Sequence, residues 1–157
     1  ARKMEPRAAS PRRRLQAVRT LNEAGVLCGV MVAPVIPFLT DSELENVLQA
    51  AQEHGARSAG YTLLRLPYEV KDLFKDWLTT HYPLKAEHVM SRMREMRNGK
   101  ENDANFGSRF RGNGLFAELL AKRFKLTCER LGVNREQVSF DTTKFIKPNL
   151  GGQGSLF

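Results

Sequence analysis

The predicted fold rests on one stretch, Leu27-Cys28-Gly29-Val30-Met31-Val32-Ala33-Pro34-Val35-Ile36-Pro37-Phe38-Leu39-Thr40-Asp41. It begins as a continuous apolar run rich in valine, which is typical of a strand buried on both faces in a parallel sheet. Pro34 and Pro37 then end the strand, because proline lacks the amide hydrogen that a central ladder needs. Thr40 or Asp41 can cap the helix that follows. Since ligands of α/β proteins bind beyond the carboxyl ends of the strands, any site should include this corner.

Length and charge narrow the possible functions. One domain is expected for 157 residues, which is short for a complete eight-stranded α/β barrel of about 250 residues. The formal net charge of +8 favours an acidic partner such as nucleic acid, although a basic solvated surface explains it equally well. Cys28 and Cys128 form no CxxC pair and predict no disulfide framework. With no recognisable signal peptide or membrane span, we expect a cytoplasmic protein without a membrane partner.

Helices and strands alternate in the first part of the chain. Ser10 can cap a helix that has Pro11 at its first position, and Gly25 suits the left-handed residue that ends it. A second helix, which follows the quoted stretch, is predicted to end at Gly55. The next apolar segment, residues 58–67, predicts a second strand ended by proline. The order helix, strand, helix, strand is typical of parallel βαβ units.

The second part of the chain is predicted to be mainly helical. Apolar residues at helical spacing favour helices over residues 68–81, from about 85 to 97, and over 115–131, the last of which is expected to end at Gly132. The second of these helices carries several methionines on one face, which we interpret as core filling. A polar loop, residues 98–114, is long enough to be either functional or disordered. Residues 138–146 could form a short strand or an extended arm.

The chain contains no self-contained catalytic motif. His54, His81 and His88 have no metal-ligand spacing with cysteine or carboxylate and are interpreted as surface or helix-end residues. A GxSxG elbow, a Walker loop and an HExxH helix are all missing from the sequence. We therefore expect neither a metal site nor a catalytic residue within this chain.

Several strings taken together resemble radical S-adenosylmethionine (SAM) proteins, and most closely their spore-photoproduct-lyase-like, or "DNA repair photolyase", branch. They are Glu5-Pro6-Arg7 with Ser10-Pro11, the helix over 14–26, Gly29-Val30-Met31-Val32-Ala33-Pro34-Val35-Ile36-Pro37 with Asp41, Ala56-Arg57-Ser58-Ala59-Gly60-Tyr61 with Leu64-Arg65-Leu66-Pro67, and Asn105-Phe106-Gly107-Ser108-Arg109. The resemblance covers nearly the whole chain. It implies an enzyme whose 4Fe-4S cluster cleaves SAM reductively to a deoxyadenosyl radical. Because the CxxxCxxC cluster motif is absent here, the chain is expected to be a carboxy-terminal fragment that holds no cluster or cofactor and is inactive alone.

The resemblance also implies an architecture. Residues 1–82 would be the last βα units of a partial (β/α)6 barrel, residues 83–147 a helical carboxy-terminal extension, and residues 148–157 a flexible tail. Two strands cannot close a barrel. We therefore expect exposed sheet edges that pair with another copy of the chain or are covered by the tail or by helices.

Within that architecture, the resemblance assigns residues to a SAM pocket. The adenine would pack against the end of the first predicted strand, with the second strand flanking the same rim. An apolar wall with exposed backbone amides suits a flat base. Two arginines could bind a carboxylate or a phosphate through their forked donors, or could equally pair with a carboxylate of the protein. The implied cofactor-binding residues are Val32, Ala33, Pro34, Val35, Leu64, Arg65 and Arg7.

The polar loop is a candidate nucleic-acid contact. Arg109 and Arg111, interleaved with Phe106 and Phe110, would suit a phosphate backbone with stacked bases. Alternatively, the aromatic side chains of this loop fill the core. The alternative to a radical SAM fragment is therefore a non-catalytic basic module that binds nucleic acid through this loop and the arginine-rich first helix. The substrate stays open between spore photoproduct, another nucleic-acid lesion and a molecule of another class.

The last residues suggest a protein partner. Gln153, Leu156 and Phe157 resemble the short peptide by which bacterial repair and replication proteins dock on the DNA sliding clamp. A flexible glycine-rich tail would present the two apolar side chains as anchors. Gly154 departs from the leucine usual at its position, and a tail that folds back over its own domain is the alternative.

Overall fold

The computed structural model describes residues 3–135 and 141–145. The secondary structure within these ranges consists of α1 (Pro11–Glu23), β1 (Gly29–Val35), α2 (Leu44–Glu53), β2 (Ser58–Leu63), α3 (Val70–His81), α4 (Pro83–Glu95) and α5 (Gly114–Leu131). A short 3₁₀ turn, Asp41–Glu43, precedes α2. Apart from residues 141–145, the arm predicted over 138–146 lies outside the described residues, and so does the whole predicted tail.

The two strands form one parallel βαβ unit. Gly29 lies beside Ser58 and Val32 beside Tyr61, and α2 connects the strands. In the described part of the chain these two strands are the whole sheet. The predicted partial (β/α)6 barrel is therefore wrong: the fold is a small two-stranded parallel sheet within a mixed, mainly helical α/β structure. The alternating pattern correctly indicated a parallel connection, but the helical periodicity after Pro67 supplies no further strand to enlarge the sheet.

Strand β1 is covered on one face only, so the prediction of a strand buried on both faces is also wrong. Val30 and Val32 pack against the core, whereas Met31 is 61% exposed and Ala33 is exposed as well. On the covered face Tyr61 of β2 contacts Phe124 of α5. Helices α2 and α5 thus shield one side of the sheet. Hydropathy does not reveal this alternation, because both exposed side chains are also apolar.

The core lies between the sheet and the helices. Its fully buried side chains come from the strand ends, α2, α3, α4 and α5, on both sides of residue 82. They include Val35, Ile36, Leu44, Leu48, Leu63, Leu66, Leu78, Val89, Met93 and Leu120. Burial of Met90 and Met93 confirms that the methionines of α4 fill the core. Helix α1, by contrast, contributes no buried residue.

The predicted helix signals at α1 and α5 are confirmed. The hydroxyl of Ser10 accepts a hydrogen bond from the Arg13 amide at 3.4 Å, and Pro11 occupies the first helical position. Gly25 follows α1 with φ +78°, and Gly132 caps α5 with φ +68°. Both glycines therefore adopt the left-handed backbone that ends helices.

The two edges of the sheet differ. Along the outer edge of β2, the Leu63 amide donates to the Phe110 carbonyl at 2.9 Å. The side chain of Asn134 accepts from the Ala59 amide at 2.8 Å and donates to the Ala59 carbonyl at 3.0 Å. No second strand pairs with β1 among the residues that the structure describes. One edge of β1 is thus open among the described residues. Self-association through a sheet edge stays a prediction, and this edge is where it would occur.

Candidate functional site

A bulge at the carboxyl end of β1 opens a cavity. The strand pairing changes from Val32 beside Tyr61 to Val35 beside Leu63, so β1 has one residue more than β2 over this interval. The extra residue lies in the pair Ala33–Pro34, and both side chains line a cavity of about 340 Å³. Bulges redirect side chains in this way and are frequent beside ligand sites.

The loop after β1 shapes one wall of this cavity. Thr40 accepts a hydrogen bond from the Ile36 amide at 2.8 Å and donates to the Pro34 carbonyl at 3.3 Å. The hydroxyl of Thr40 makes no capping hydrogen bond to the following turn, and neither does the side chain of Glu43 at the start of α2. Thr40 thus occupies the predicted position before the turn, but its hydroxyl closes the loop on itself and does not cap the helix.

The amino-terminal segment forms the opposite wall. The Trp77 indole nitrogen donates to the Lys3 carbonyl at 3.0 Å, and the Lys3 ammonium lies 5.1 Å from the centre of the Tyr82 ring. Trp77 and Tyr82 line the cavity themselves, together with Lys3, Met4 and Glu5. The cavity is thus lined mainly by apolar and aromatic side chains, together with the charged residues Lys3, Glu5 and Glu43.

Of the residues predicted to bind SAM, only Ala33 and Pro34 are among those that line this cavity. Val32 packs against the core and Val35 is fully buried, so their side chains lie within the fold. Leu64 also packs against the core. Arg7 is exposed, without a hydrogen bond or ion pair to a described residue.

A second group of residues gathers at the carboxyl end of β2. Arg97, only 3% exposed, donates from one terminal nitrogen to the Leu64 carbonyl and from the other to the Arg109 carbonyl at 3.3 Å. Arg97 therefore connects the end of β2 to the polar loop, residues 98–114. Burial lowers the pKa of the Arg97 guanidinium; nearby Asp103 opposes that effect, and nearby Arg65 adds to it.

Arg65 and Arg109 both lie against one aromatic ring. Their guanidinium carbons are 5.2 Å and 4.8 Å from the centre of the Phe110 ring. The Nε atoms of Arg65, Arg97 and Arg109 are buried and have no hydrogen-bond partner among the described residues. We call these three side chains the arginine cluster.

Sequence reasoning did not single out Arg97, although one signal was present. Its position continues the apolar stripe of α4 through Met90 and Met93 at spacings of three and four residues, which places it on the buried face. An arginine on such a stripe is rare in protein cores and indicates a structural or binding role. No comparable local signal marks Arg65 or Phe110 as its neighbours.

The residues predicted to bind nucleic acid lie in two different places in the structure. Phe106 is 83% exposed, and the guanidinium carbon of Arg109 lies 4.6 Å from the centre of its ring. Phe106 is thus outside the core. Arg111 instead lines a separate cavity of about 330 Å³, beside Tyr61 and the start of α5.

Other partly buried cations form ion pairs with carboxylates. Arg123 of α5 donates two hydrogen bonds of 2.8 Å to Glu45 of α2. Lys75 and Arg94 lie 2.8 Å and 3.5 Å from the carboxylate of Glu101. These contacts lower the pKa of each glutamate, chiefly through the hydrogen bonds from Arg123 and Lys75.

The described residues do not form a metal site. No group of three or more His, Cys, Asp or Glu side chains in residues 3–135 and 141–145 is placed to hold an ion. Cys28 and Cys128 are free thiols, and burial raises the pKa of Cys128.

None of the helices described by the structure is both long enough and apolar enough to cross a membrane.

The comparisons with known proteins identify distant relatives but no family. No family model and no solved structure matches the chain. An uncharacterized protein of Mycobacterium tuberculosis is 34% identical over 97 residues, which cover 60% of this chain and 27% of that protein. An uncharacterized protein of Mycobacterium bovis has the same identity and coverage. The chain thus spans about a quarter of the length of the curated relatives that it matches.

Proposed function

We propose that the chain supplies one wall of the SAM pocket of a radical SAM enzyme. The observation that carries the proposal is the bulge of β1, which turns Ala33 and Pro34 towards a cavity at the carboxyl end of the strand. A flat base such as adenine packs well against small apolar groups and needs few specific side chains. One of the stretches that resemble radical SAM proteins, residues 29–37, is the stretch that forms this bulge.

The remaining walls suit an adenosyl group. The rings of Trp77 and Tyr82 line the cavity and offer flat apolar surface. Glu5 and Glu43 also line the cavity, and carboxylates can accept hydrogen bonds from ribose hydroxyls. The lining thus combines mostly apolar side chains with a few polar groups, which is the usual composition of a cofactor site.

An iron–sulfur cluster does not fit the described residues. Such a cluster needs several thiolates around one point, and the described cysteines are only Cys28 and the buried Cys128. The proposal therefore assigns no cluster ligand and no radical step to this chain, and it takes the ligands to come from elsewhere in the enzyme. A cytoplasmic location is part of the proposal, in keeping with two unpaired thiols.

The test uses the parent enzyme, reconstituted anaerobically with iron and sulfide and then given SAM and a reductant. We expect deoxyadenosine to form, and Ala33→Phe to reduce its rate by about tenfold or more, because the larger side chain fills the cavity and displaces the cofactor. Ala17→Phe is the matched control, since Ala17 is exposed on α1 away from the cavity. A protein that holds its cluster without forming deoxyadenosine would contradict the proposal, as would one that holds no cluster.

One observation favours the alternative function, a basic nucleic-acid-binding module. Phe106 is exposed beside the guanidinium of Arg109, an arrangement that can stack a base and bind its phosphate. Arg111 adds a further exposed cation. Oligonucleotide binding that weakens with salt and is lost in Phe106→Ala, in a parent that forms no deoxyadenosine, would favour this function.

The proposed sliding-clamp partner stays a prediction, because Gln153, Leu156 and Phe157 lie outside the described residues. A peptide of residues 149–157 tests it directly. Binding to a bacterial clamp that is abolished when Leu156 and Phe157 are both changed to alanine would support this partner. An unaltered affinity in that double variant would exclude it.

A further inference from the structure

The arginine cluster is a group of cations that the described residues leave without a carboxylate partner. Arg123 pairs with Glu45, and Lys75 and Arg94 pair with Glu101. None of the ion pairs among the described residues includes Arg65, Arg97 or Arg109. Buried charges are normally paired or bind a counterion.

The hydrogen bonds of Arg97 fix its position without neutralising its charge. Its two terminal nitrogens donate to the carbonyls of Leu64 and Arg109, which are neutral acceptors. The Nε–H group of Arg97 is left buried and unpartnered, like those of Arg65 and Arg109. The three arginines thus each have an unpartnered Nε–H group, and none of them forms an ion pair with a described carboxylate.

One acidic group, Asp103, acts on the cluster, and each of its carboxylate oxygens already accepts a hydrogen bond from elsewhere in the polar loop. One carboxylate oxygen accepts from the Asn105 amide at 2.9 Å, and the other accepts from the Ser108 hydroxyl at 2.5 Å. Asp103 influences Arg97 through space but forms no ion pair with it. It therefore offsets only part of the charge of the cluster.

The place of the cluster in the fold suits a ligand. Arg65 follows the carboxyl end of β2, where ligands of α/β proteins bind. The Phe110 ring lies against both Arg65 and Arg109 and so limits their side-chain freedom. Guanidinium groups held in this way lose little conformational entropy when they bind an anion.

We propose that Arg65, Arg97 and Arg109 form a binding site for a phosphate group. A phosphate has several acceptor oxygens and up to two negative charges, so it can accept hydrogen bonds from more than one guanidinium and offset their mutual repulsion. The site is separate from the cavity at Ala33 and does not depend on the proposed cofactor. Phe106, exposed beside Arg109, provides a stacking surface if the phosphate belongs to a nucleotide.

The test measures binding of inorganic phosphate to the 157-residue chain at constant ionic strength. Binding is followed by isothermal titration calorimetry or by the shifts of the amide signals in a ¹H–¹⁵N spectrum. We expect saturable binding that weakens about tenfold or more in Arg65→Gln and in Arg109→Lys, because each loses a forked donor. Arg57→Gln is the matched control, since Arg57 precedes the amino end of the same strand and its exposed side chain has no described partner. Far-ultraviolet circular dichroism checks that each variant is folded.

Two further binding measurements identify the chemical class of the ligand. Acetate that binds as tightly as phosphate would overturn the assignment, because it would make the site a carboxylate site. Adenosine monophosphate and a short oligothymidylate distinguish a free nucleotide from a nucleic-acid backbone as the source of the phosphate. Absence of saturable phosphate binding, or an equal loss in Arg57→Gln, would also overturn the proposal, since the second result would indicate non-specific attraction to a basic surface.

Discussion

The two strand ends lie side by side in one sheet, yet they carry different chemistry. At the end of β1, a bulge and a short loop leave an open cavity whose walls are mostly apolar and aromatic. At the end of β2, the long loop returns to pair with Leu63, and Arg97 joins loop and strand. The comparison shows that a local feature forms the first site, a bulge within β1 itself, whereas the second depends on a loop that comes from far along the chain to the end of β2. We therefore expect substitutions at the end of β2 to lower the free energy of unfolding more than substitutions at the end of β1.

The largest effect is expected for Arg97→Ala. It leaves the carbonyls of Leu64 and Arg109 without their buried donor, which should lower the free energy of unfolding by about 2–3 kcal/mol. Urea denaturation measures this change. Arg57→Ala is the control, because its side chain is exposed. A loss below about 0.5 kcal/mol for Arg97→Ala would mean that the cluster does not hold the loop.

A smaller loss is expected for Gly112→Ala, in the loop that pairs with β2. Gly112 has φ +71°, and an added Cβ atom would lie 2.9 Å from the Leu63 side chain and 3.3 Å from Met96. Strain and overlap together should cost about 1–2 kcal/mol in thermal or urea unfolding. Gly107→Ala is the matched control, since Gly107 lies in the same loop with open space around it. Equal stabilities of the two variants would contradict the close packing of loop against strand.

Arg123, which is paired with Glu45, provides a comparison for the arginine cluster, which has no carboxylate partner among the described residues. Hydrogen bonds from Arg123 hold the pKa of Glu45 below its usual value of 4.5. A carboxyl whose pKa is lowered by folding stabilises the protein above its unfolded pKa, and this stability is lost as pH falls through the folded pKa. Because both side chains are about 30% exposed, the pair should contribute about 1 kcal/mol or less.

We therefore expect Glu45→Gln to be less stable than the wild type near pH 7 and to approach it in stability as the pH falls well below 4.5. Urea denaturation at a series of pH values measures the difference. Glu118→Gln is the control, because Glu118 is exposed on the same α5 that carries Arg123. A constant difference between Glu45→Gln and the wild type at all pH values would mean that the ion pair does not form.

The smallest effect on stability is expected at the end of β1. Ala33 is exposed, so Ala33→Phe should change the free energy of unfolding by less than about 0.5 kcal/mol while it obstructs the cavity. Comparison of its unfolding curve with that of Ala17→Phe measures this directly. A loss comparable to that of Arg97→Ala would remove the distinction between the two strand ends.

Local sequence signals predicted the helices and their ends better than the residues that meet at the two candidate sites. The cap at Ser10, the glycine after α5 and the buried methionines depend on neighbours in the chain, so short-range spacing was sufficient. The covered edge of β2 depends on Asn134, 75 residues after Ala59, and the clamp of Arg97 on Leu64, 33 residues earlier. Such contacts arise from tertiary packing, which local propensity does not encode.

The partial barrel, which the resemblance to radical SAM proteins implied, was wrong for a similar reason. A βα alternation determines how two strands connect, whereas the number of strands depends on which segments actually pair. Apolar side chains on the exposed face of β1, such as Met31, made that face look buried. Their exposure and the open edge of β1 appear only when the positions of the helices are known.

The most direct test of the account is a titration of the isotopically labelled 157-residue chain with SAM, followed amide by amide in a ¹H–¹⁵N spectrum. We expect the largest shifts at the Ala33 and Thr40 amides and at the Trp77 indole, and no shift at the Arg57 amide. Because only one wall of the pocket is present, the chain alone should not hold SAM stably, and only a weak interaction with a dissociation constant of about 1 mM or more is expected. If SAM leaves Ala33 and Trp77 unmoved while signals elsewhere shift, or if nothing shifts up to about 10 mM, the bulge of β1 is not the adenosyl wall.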